Sequence, residues 1–177
     1  RPCTSSLVGQ QAVDGSYFYL GWVFDQVDGT DPVTTFADIT GPQQMIEALG
    51  VPLLPWIATG PPTKDDEKKI DEDLETLTEG FGNGGVGKTI YRLREGIERF
   101  LITDINNAAA SAQAQSTVWI MLDSVSTDVQ LFNHIPGGSN VLYMDGHVKF
   151  LKYEERGLAP VNGPMAQISE SVFSSFS

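Results

Sequence analysis

The chain has 177 residues, with 23 acidic against 11 basic side chains and a formal net charge of −12. That length suffices for one domain with a real core, and a hydrophobic fraction of 41% excludes wholesale disorder. So acidic a surface argues against nucleic acid and anionic membranes as partners, having no basic stripe to neutralise phosphates, and suits solubility outside the cell and weak cation binding.

Cys3 is the single cysteine, so no disulfide can form within the chain. It leaves a free thiol, an intermolecular link, or half of a bridge to a residue upstream. No run of roughly 18 apolar residues is present to span a membrane, and no signal peptide is visible. Ser16 to Val23 is rich in aromatic residues and reads as a strand. Asp28-Gly29 follows as a turn. Gly41-Pro42 opens a short helix with Gly50 as its stop, and Met45, Ile46 and Leu49 lie on one face. Val51 to Pro62 is apolar and Pro-rich, with Trp56 as its anchor. Thr63 and Asp66 form a loose capping box for a charged helix, in which Ile70, Leu74 and Leu77 make a narrow apolar stripe. Residues 80–89 form a Gly-rich loop.

Ile90 to Phe100 reads as a strand followed by a short helix or as one helix, and the spacing of Leu93, Ile97 and Phe100 favours a helix over Arg92 to Phe100. Ala108 to Ala114 reads as a loop or frayed helix, and Val118 to Leu122 as a buried strand. Asp145-Gly146 lies between two apolar-rich runs and predicts a two-residue hairpin loop. Met144 would then face His147, and Tyr143 would face Val148. Val141, Tyr143, Val148 and Phe150 would share the core face. The segment 157–177, rich in Gly, Pro and Ser, is expected to pack loosely. Strands and helices do not alternate as βαβ units, so the expected fold class is α+β: one domain over 1–177, an antiparallel sheet with a C-terminal β-hairpin and a few short helices.

Gly82 to Thr89 matches G-x-x-x-x-G-K-[ST], the phosphate-cradling loop of nucleotide hydrolases, and Val118 to Asp123 resembles the strand whose Asp helps hold Mg²⁺. The motif needs a buried apolar strand directly before its glycines. Here Glu72 to Phe81 reads as an acidic helix, whose carboxylates would also repel a triphosphate. The pattern is therefore read as a surface loop, with Thr89 capping the next helix, and a P-loop nucleotide-binding protein ranks behind the other readings. No Gly-x-Ser-x-Gly elbow, His-Glu-x-x-His or cysteine cluster points to a nucleophilic or zinc-dependent enzyme.

The stretch His134 to Tyr153 carries Gly137-Gly138, Asn140-Val141-Leu142, Tyr143 and Asp145-Gly146-His147-Val148. It resembles the C-terminal signature of bacterial prepilin-like proteins with a His–nine residues–Asp-Gly motif, found with type IV pilus and type II secretion pseudopilin machinery. Ten residues separate His134 from Asp145 here, Ile135-Pro136 standing where one residue is usual. Ile90 to Asn107 and Ser16 to Trp22 resemble further segments of these proteins. The resemblance implies a pilin-like globular head without its N-terminal stalk helix, extracellular or in the bacterial cell envelope, acting in filament assembly or surface display. Its partners would be further copies or filament subunits, with a membrane reached only through a helix absent from this chain. No catalytic residue is assigned.

The motif residues His134, Gly137, Gly138, Asn140, Asp145, Gly146 and His147 are expected to have structural roles, with His134 and Asp145 fixing the Gly-Gly bend and the strand register. Some pseudopilins hold calcium in a C-terminal loop. Two oxygen-rich groups, Asp104 with Asn106 and Asn107, and Asp123 with Asp128, would suit Ca²⁺, although turn-forming Asp and Asn bonding their own backbone account for them as well. The alternative class is a secreted hydrolase or metal-dependent enzyme.

Overall fold

The computed structural model describes residues 16–50, 71–97, 114–127 and 137–174. Its main element is a four-stranded sheet built from β1 (Tyr17–Tyr19), β6 (Trp119–Asp123), β7 (Gly138–Tyr143) and β8 (Val148–Lys152), in that spatial order and antiparallel throughout. Two further antiparallel pairs stand apart from it: β2 (Val33–Phe36) with β3 (Ile39–Pro42), and β4 (Leu74–Glu75) with β5 (Thr89–Ile90). Among the described residues the helices are α1 over 43–50, α2 over 114–117, and α3 (Gly163–Ser174). The architecture is α+β with antiparallel sheets, as the sequence indicates.

Phe18, Leu122, Val141 and Tyr143 from the main sheet meet Met45, Ile46 and Ala48 of α1 and Met165, Ala166 and Ile168 of α3 in one core. A bulge in β6 between Trp119 and Met121 allows Trp119 and Leu122, three positions apart, both to point inward. The opposite sheet face carries two cross-strand rows, Tyr19–Met121–Leu142–Val148 and Tyr17–Asp123–Asn140–Phe150. Tyr17, Tyr19, Val148 and Phe150 each expose more than half of their surface.

Between β1 and β2 runs a segment, Trp22 to Asp28, that belongs to no sheet and buries Trp22, Val23, Phe24 and Val27 while Asp25 stays exposed. Backbone polar groups buried without partners are costly, and here buried side-chain amides serve them. Gln44 Oε1 accepts from the N–H groups of Asp25 and Gln26, each at 3.1 Å. Asn83 Nδ2 donates to Val23 O at 2.9 Å, and Asn162 Nδ2 to Val27 O at 2.8 Å. The segment thus fastens α1, the β4–β5 hairpin and the start of α3 to one another.

Several expectations are corrected. Residues 71–79 are not helical: Leu74–Glu75 is β4, and the acidic positions around it are exposed or half-buried. The described part of the expected helix over Arg92 to Phe100 is a bridge and turns, with Trp22 paired to Arg92. Helical spacing at Leu93 and Ile97 gave way to tertiary pairing, since Leu93 N–H binds Gly21 O and Val23 N–H binds Tyr91 O. The segment expected to pack loosely is held in the core over residues 160–169: Val161, Met165 and Ala166 are fully buried, and Asn162 caps α3 by accepting the Met165 N–H at 3.1 Å. Val51 to Pro62 and Thr63 to Ile70 lie outside the described residues, as does Ala108 to Gln113.

Candidate functional site

The Gly-rich loop carries a sequence pattern that points to phosphate. Gly82 to Thr89 connects β4 to β5, which pair antiparallel with Leu74 opposite Ile90 and Glu75 opposite Thr89. A phosphate cradle needs a strand, the loop, and then a helix N-terminus to aim N–H groups at the anion. Here the chain re-enters a strand, so Thr89 caps no helix. Several of the loop's own N–H groups are also taken. Gly84 N–H is held by Asp25 Oδ2 at 2.7 Å, while Gly80 and Gly82 N–H both bind Gly87 O. Gln26 Nε2 holds Gly80 O and Gly82 O from the other side. A carboxylate of the protein thus contacts the loop's backbone, and the geometry excludes a P-loop.

The C-terminal hairpin is the candidate functional site. It forms as an antiparallel pair, but its loop has three residues, Met144 to Gly146, instead of two. Tyr143 N–H binds His147 O at 3.0 Å and Gly146 N–H binds Tyr143 O at 2.9 Å. Gly146 takes φ +88°, which fits a type I turn closed by a glycine bulge. Leu142 consequently faces Val148, Val141 faces Lys149 and Asn140 faces Phe150. This one-residue shift turns β8 over: Val148 and Phe150 point away from the core, and Leu151 packs against it. The expected core face is therefore half right, correct for Val141 and Tyr143 and wrong for Val148 and Phe150.

Each described motif residue has a stereochemical task. Asp145 Oδ1 accepts from His147 N–H at 3.1 Å and lies 2.6 Å from His147 Nδ1. These bonds, the backbone one first, hold the Asp145 carboxyl below its ordinary range. The His147 ring stacks on Tyr143 with centroids 4.4 Å apart and planes within 4°. Burial pushes the Tyr143 phenol up. Gly137 takes φ +105°, a conformation L side chains rarely adopt. Gly138 is constrained differently: a Cβ there would collide with the Phe150 ring and stand 2.6 Å from Leu151 O. Asn140 bonds to Asp123 Oδ2 through its backbone N–H at 3.0 Å and its side-chain Nδ2 at 2.9 Å.

Asp145 bonds to His147; His134, its expected partner, lies outside the described residues. Of the oxygen-rich set, Asp104, Asn106 and Asp128 also lie outside them. Asp123 is nearly buried and engaged with Asn140 in the sheet. Among the described residues, no group of three or more His, Cys, Asp or Glu side chains is placed to hold a metal ion. The polar hub of Asp25, Gln44, Asn83 and Asn162 was not foreseen. Its one sequence signal is the pair of Asn-Gly dipeptides, Asn83-Gly84 in the β4–β5 loop and Asn162-Gly163 at the start of α3.

The chain matches no protein-family model, no curated protein sequence and no solved structure.

Proposed function

We propose that this chain is the globular head of a pilin-like or pseudopilin-like protein of the bacterial cell envelope, acting in filament assembly or surface display. One observation carries the reading. The residues that resemble the prepilin-type signature, from Gly137 to His147, lie together on the terminal hairpin of a four-stranded antiparallel sheet. The tasks found for them are stereochemical: a bend at Gly137, ring packing over Gly138, and a turn closed by Asp145, Gly146 and His147. A signature of that kind preserves a fold and presents a surface; it does not arrange a reaction.

The acidic surface, with its net charge of −12, fits life outside the cytoplasm. The exposed Tyr17, Tyr19, Val148 and Phe150 on the outer sheet face fit a protein that works by contact with others. The test has two parts. Mass spectrometry of the protein recovered from its native cells should find a processed, strongly apolar N-terminal segment ahead of Arg1. Antibodies against this head should label surface structures in electron micrographs. Recovery from the cytosol alone, with no such segment, refutes the proposal.

A further inference from the structure

Asparagine followed by glycine is a chemically weak point in a polypeptide. The glycine nitrogen, having no side chain beside it, attacks the asparagine carbonyl carbon. The C–N bond to the side-chain amide breaks, ammonia leaves, and a succinimide remains. Water then opens the ring to aspartate or its β-linked isomer, so that one water is consumed and one ammonia released. The reaction needs a mobile backbone, a free glycine N–H and an amide that can turn.

The chain contains two such dipeptides, Asn83-Gly84 and Asn162-Gly163. Both asparagines are buried, Gly163 is buried and Gly84 is exposed, and at each site the amide and the glycine nitrogen are held by hydrogen bonds. At the first, Asn83 Nδ2 donates to Val23 O and to Asp25 Oδ1, Asn83 Oδ1 accepts from Tyr91 N–H at 2.8 Å, and the Gly84 nitrogen is bound to Asp25 Oδ2 at 2.7 Å. At the second, Asn162 Nδ2 donates to Val27 O, Asn162 Oδ1 accepts from Met165 N–H, and the Gly163 nitrogen is bound to Glu155 O at 3.1 Å.

We propose that Asn83 and Asn162 are latent deamidation sites that the fold protects, and that their conversion makes opening of the fold irreversible. Attack by Gly84 requires the β4–β5 loop to leave Asp25, and attack by Gly163 requires the first turn of α3 to unwind. The product cannot return to the native arrangement. An aspartate at 83 places an acceptor oxygen against Val23 O and a second carboxylate 3.1 Å from Asp25 Oδ1, where the native contact is a hydrogen bond. An aspartate at 162 buries a charge against Val27 O at a fully buried position. Each opening therefore carries a chemical risk of becoming permanent, and the two sites report on different parts of the molecule.

The experiment needs no variant. The protein is incubated at mildly alkaline pH, folded or in concentrated urea, and peptide mapping by mass spectrometry follows the amide-to-acid conversion at each asparagine. Conversion in the folded protein should be at least about tenfold slower than in urea, because it proceeds only through the small open population. Urea-aged protein should then lose recoverable native circular dichroism in proportion to the converted fraction, while briefly exposed protein recovers it. Equal conversion rates in the folded and unfolded states would overturn the protection. Full recovery of the signal by protein converted at both sites would overturn the irreversibility. Asn83→Asp and Asn162→Asp, made separately, supply a second measure: each should lower the urea midpoint or fail to fold, and an unchanged midpoint in both contradicts the proposal.

Discussion

Gln44 is fully buried on α1, and its replacement by leucine isolates hydrogen bonding from volume. Its Oε1 accepts from Asp25 N–H and Gln26 N–H; its Nε2 donates to Asp25 Oδ1 at 2.8 Å and to Phe81 O at 3.0 Å. Leucine fills the site but leaves two backbone donors and a carbonyl short of partners. Each buried group so orphaned costs about 1–3 kcal/mol. With some relaxation, and water reaching Phe81, a loss of about 3–5 kcal/mol is expected, a large part of the ~5–15 kcal/mol by which domains are stable. For a urea slope of about 2 kcal/mol per M, the unfolding midpoint should fall by about 1.5–2.5 M. Gln44→Glu provides a sharper contrast. It keeps the acceptors for Asp25 and Gln26 but sets a carboxylate against Asp25 Oδ1 and Phe81 O, so its damage at neutral pH should lessen as acid protonates it. A midpoint shift under about 0.5 M for Gln44→Leu would refute the idea that these amides hold the Trp22 to Asp28 segment.

Glu47 offers a pH test. Burial alone would raise its pKa, but bonds from Gln43 Nε2, Thr78 N–H and Thr78 Oγ1 outweigh it and hold the carboxyl below its ordinary range. Its stabilising effect is therefore complete above the unfolded carboxylate pKa and fades as pH falls through the lower folded value; Glu47→Gln should flatten that acid limb of stability against pH. Calorimetric titration with Mg-nucleotide should give no heat beyond mixing, and Lys88→Ala should change nothing, since the Gly84 N–H already binds Asp25. Gly138→Ala should cost about 1–3 kcal/mol through collision with Phe150 and Leu151 O, and Gly138→Ala with Phe150→Ala should recover only part of it in urea melts, the carbonyl remaining.

What the sequence made legible was whatever local chemistry decides. The Asp28-Gly29 turn, the inward face of Met45 and Ile46, the strand before Asp123 and the existence of the C-terminal hairpin all follow from turn residues or periodicity. The failures share another cause. Leu74 and Leu77 keep helical spacing, yet Leu74 is in β4 and Leu77 is exposed, because pairing with Ile90 won over propensity. Gln44 reads as an ordinary polar helix residue, and only the passage of Asp25 and Gln26 across α1 makes it buried. Asn162 reads as part of a loose tail, although its amide reaches back to Val27 across the length of the chain. Buried polar groups are set by long-range geometry, so their partners are invisible to windows of local sequence.

The hairpin loop is where one residue decides the most, and it yields the most discriminating test. A two-residue loop at Asp145-Gly146 would oppose Val148 to Tyr143 and bury it. The three-residue loop opposes Val148 to Leu142 on the outer face, 61% exposed, and gives the inner position to Leu151. The registers therefore make opposite demands on neighbouring residues of one strand. Val148→Lys should change stability by no more than about 0.5 kcal/mol, as surface substitutions do, helped by the tolerance of edge strands for lysine. Leu151→Ala should cost about 1–2 kcal/mol, less than a fully buried leucine because it is only half-buried. Urea melts of both variants decide the matter. A severe loss from Val148→Lys with little from Leu151→Ala would mean that β8 pairs one residue out of step. Phe150 would then face the core, and the ring contact that accounts for Gly138 would be lost with it.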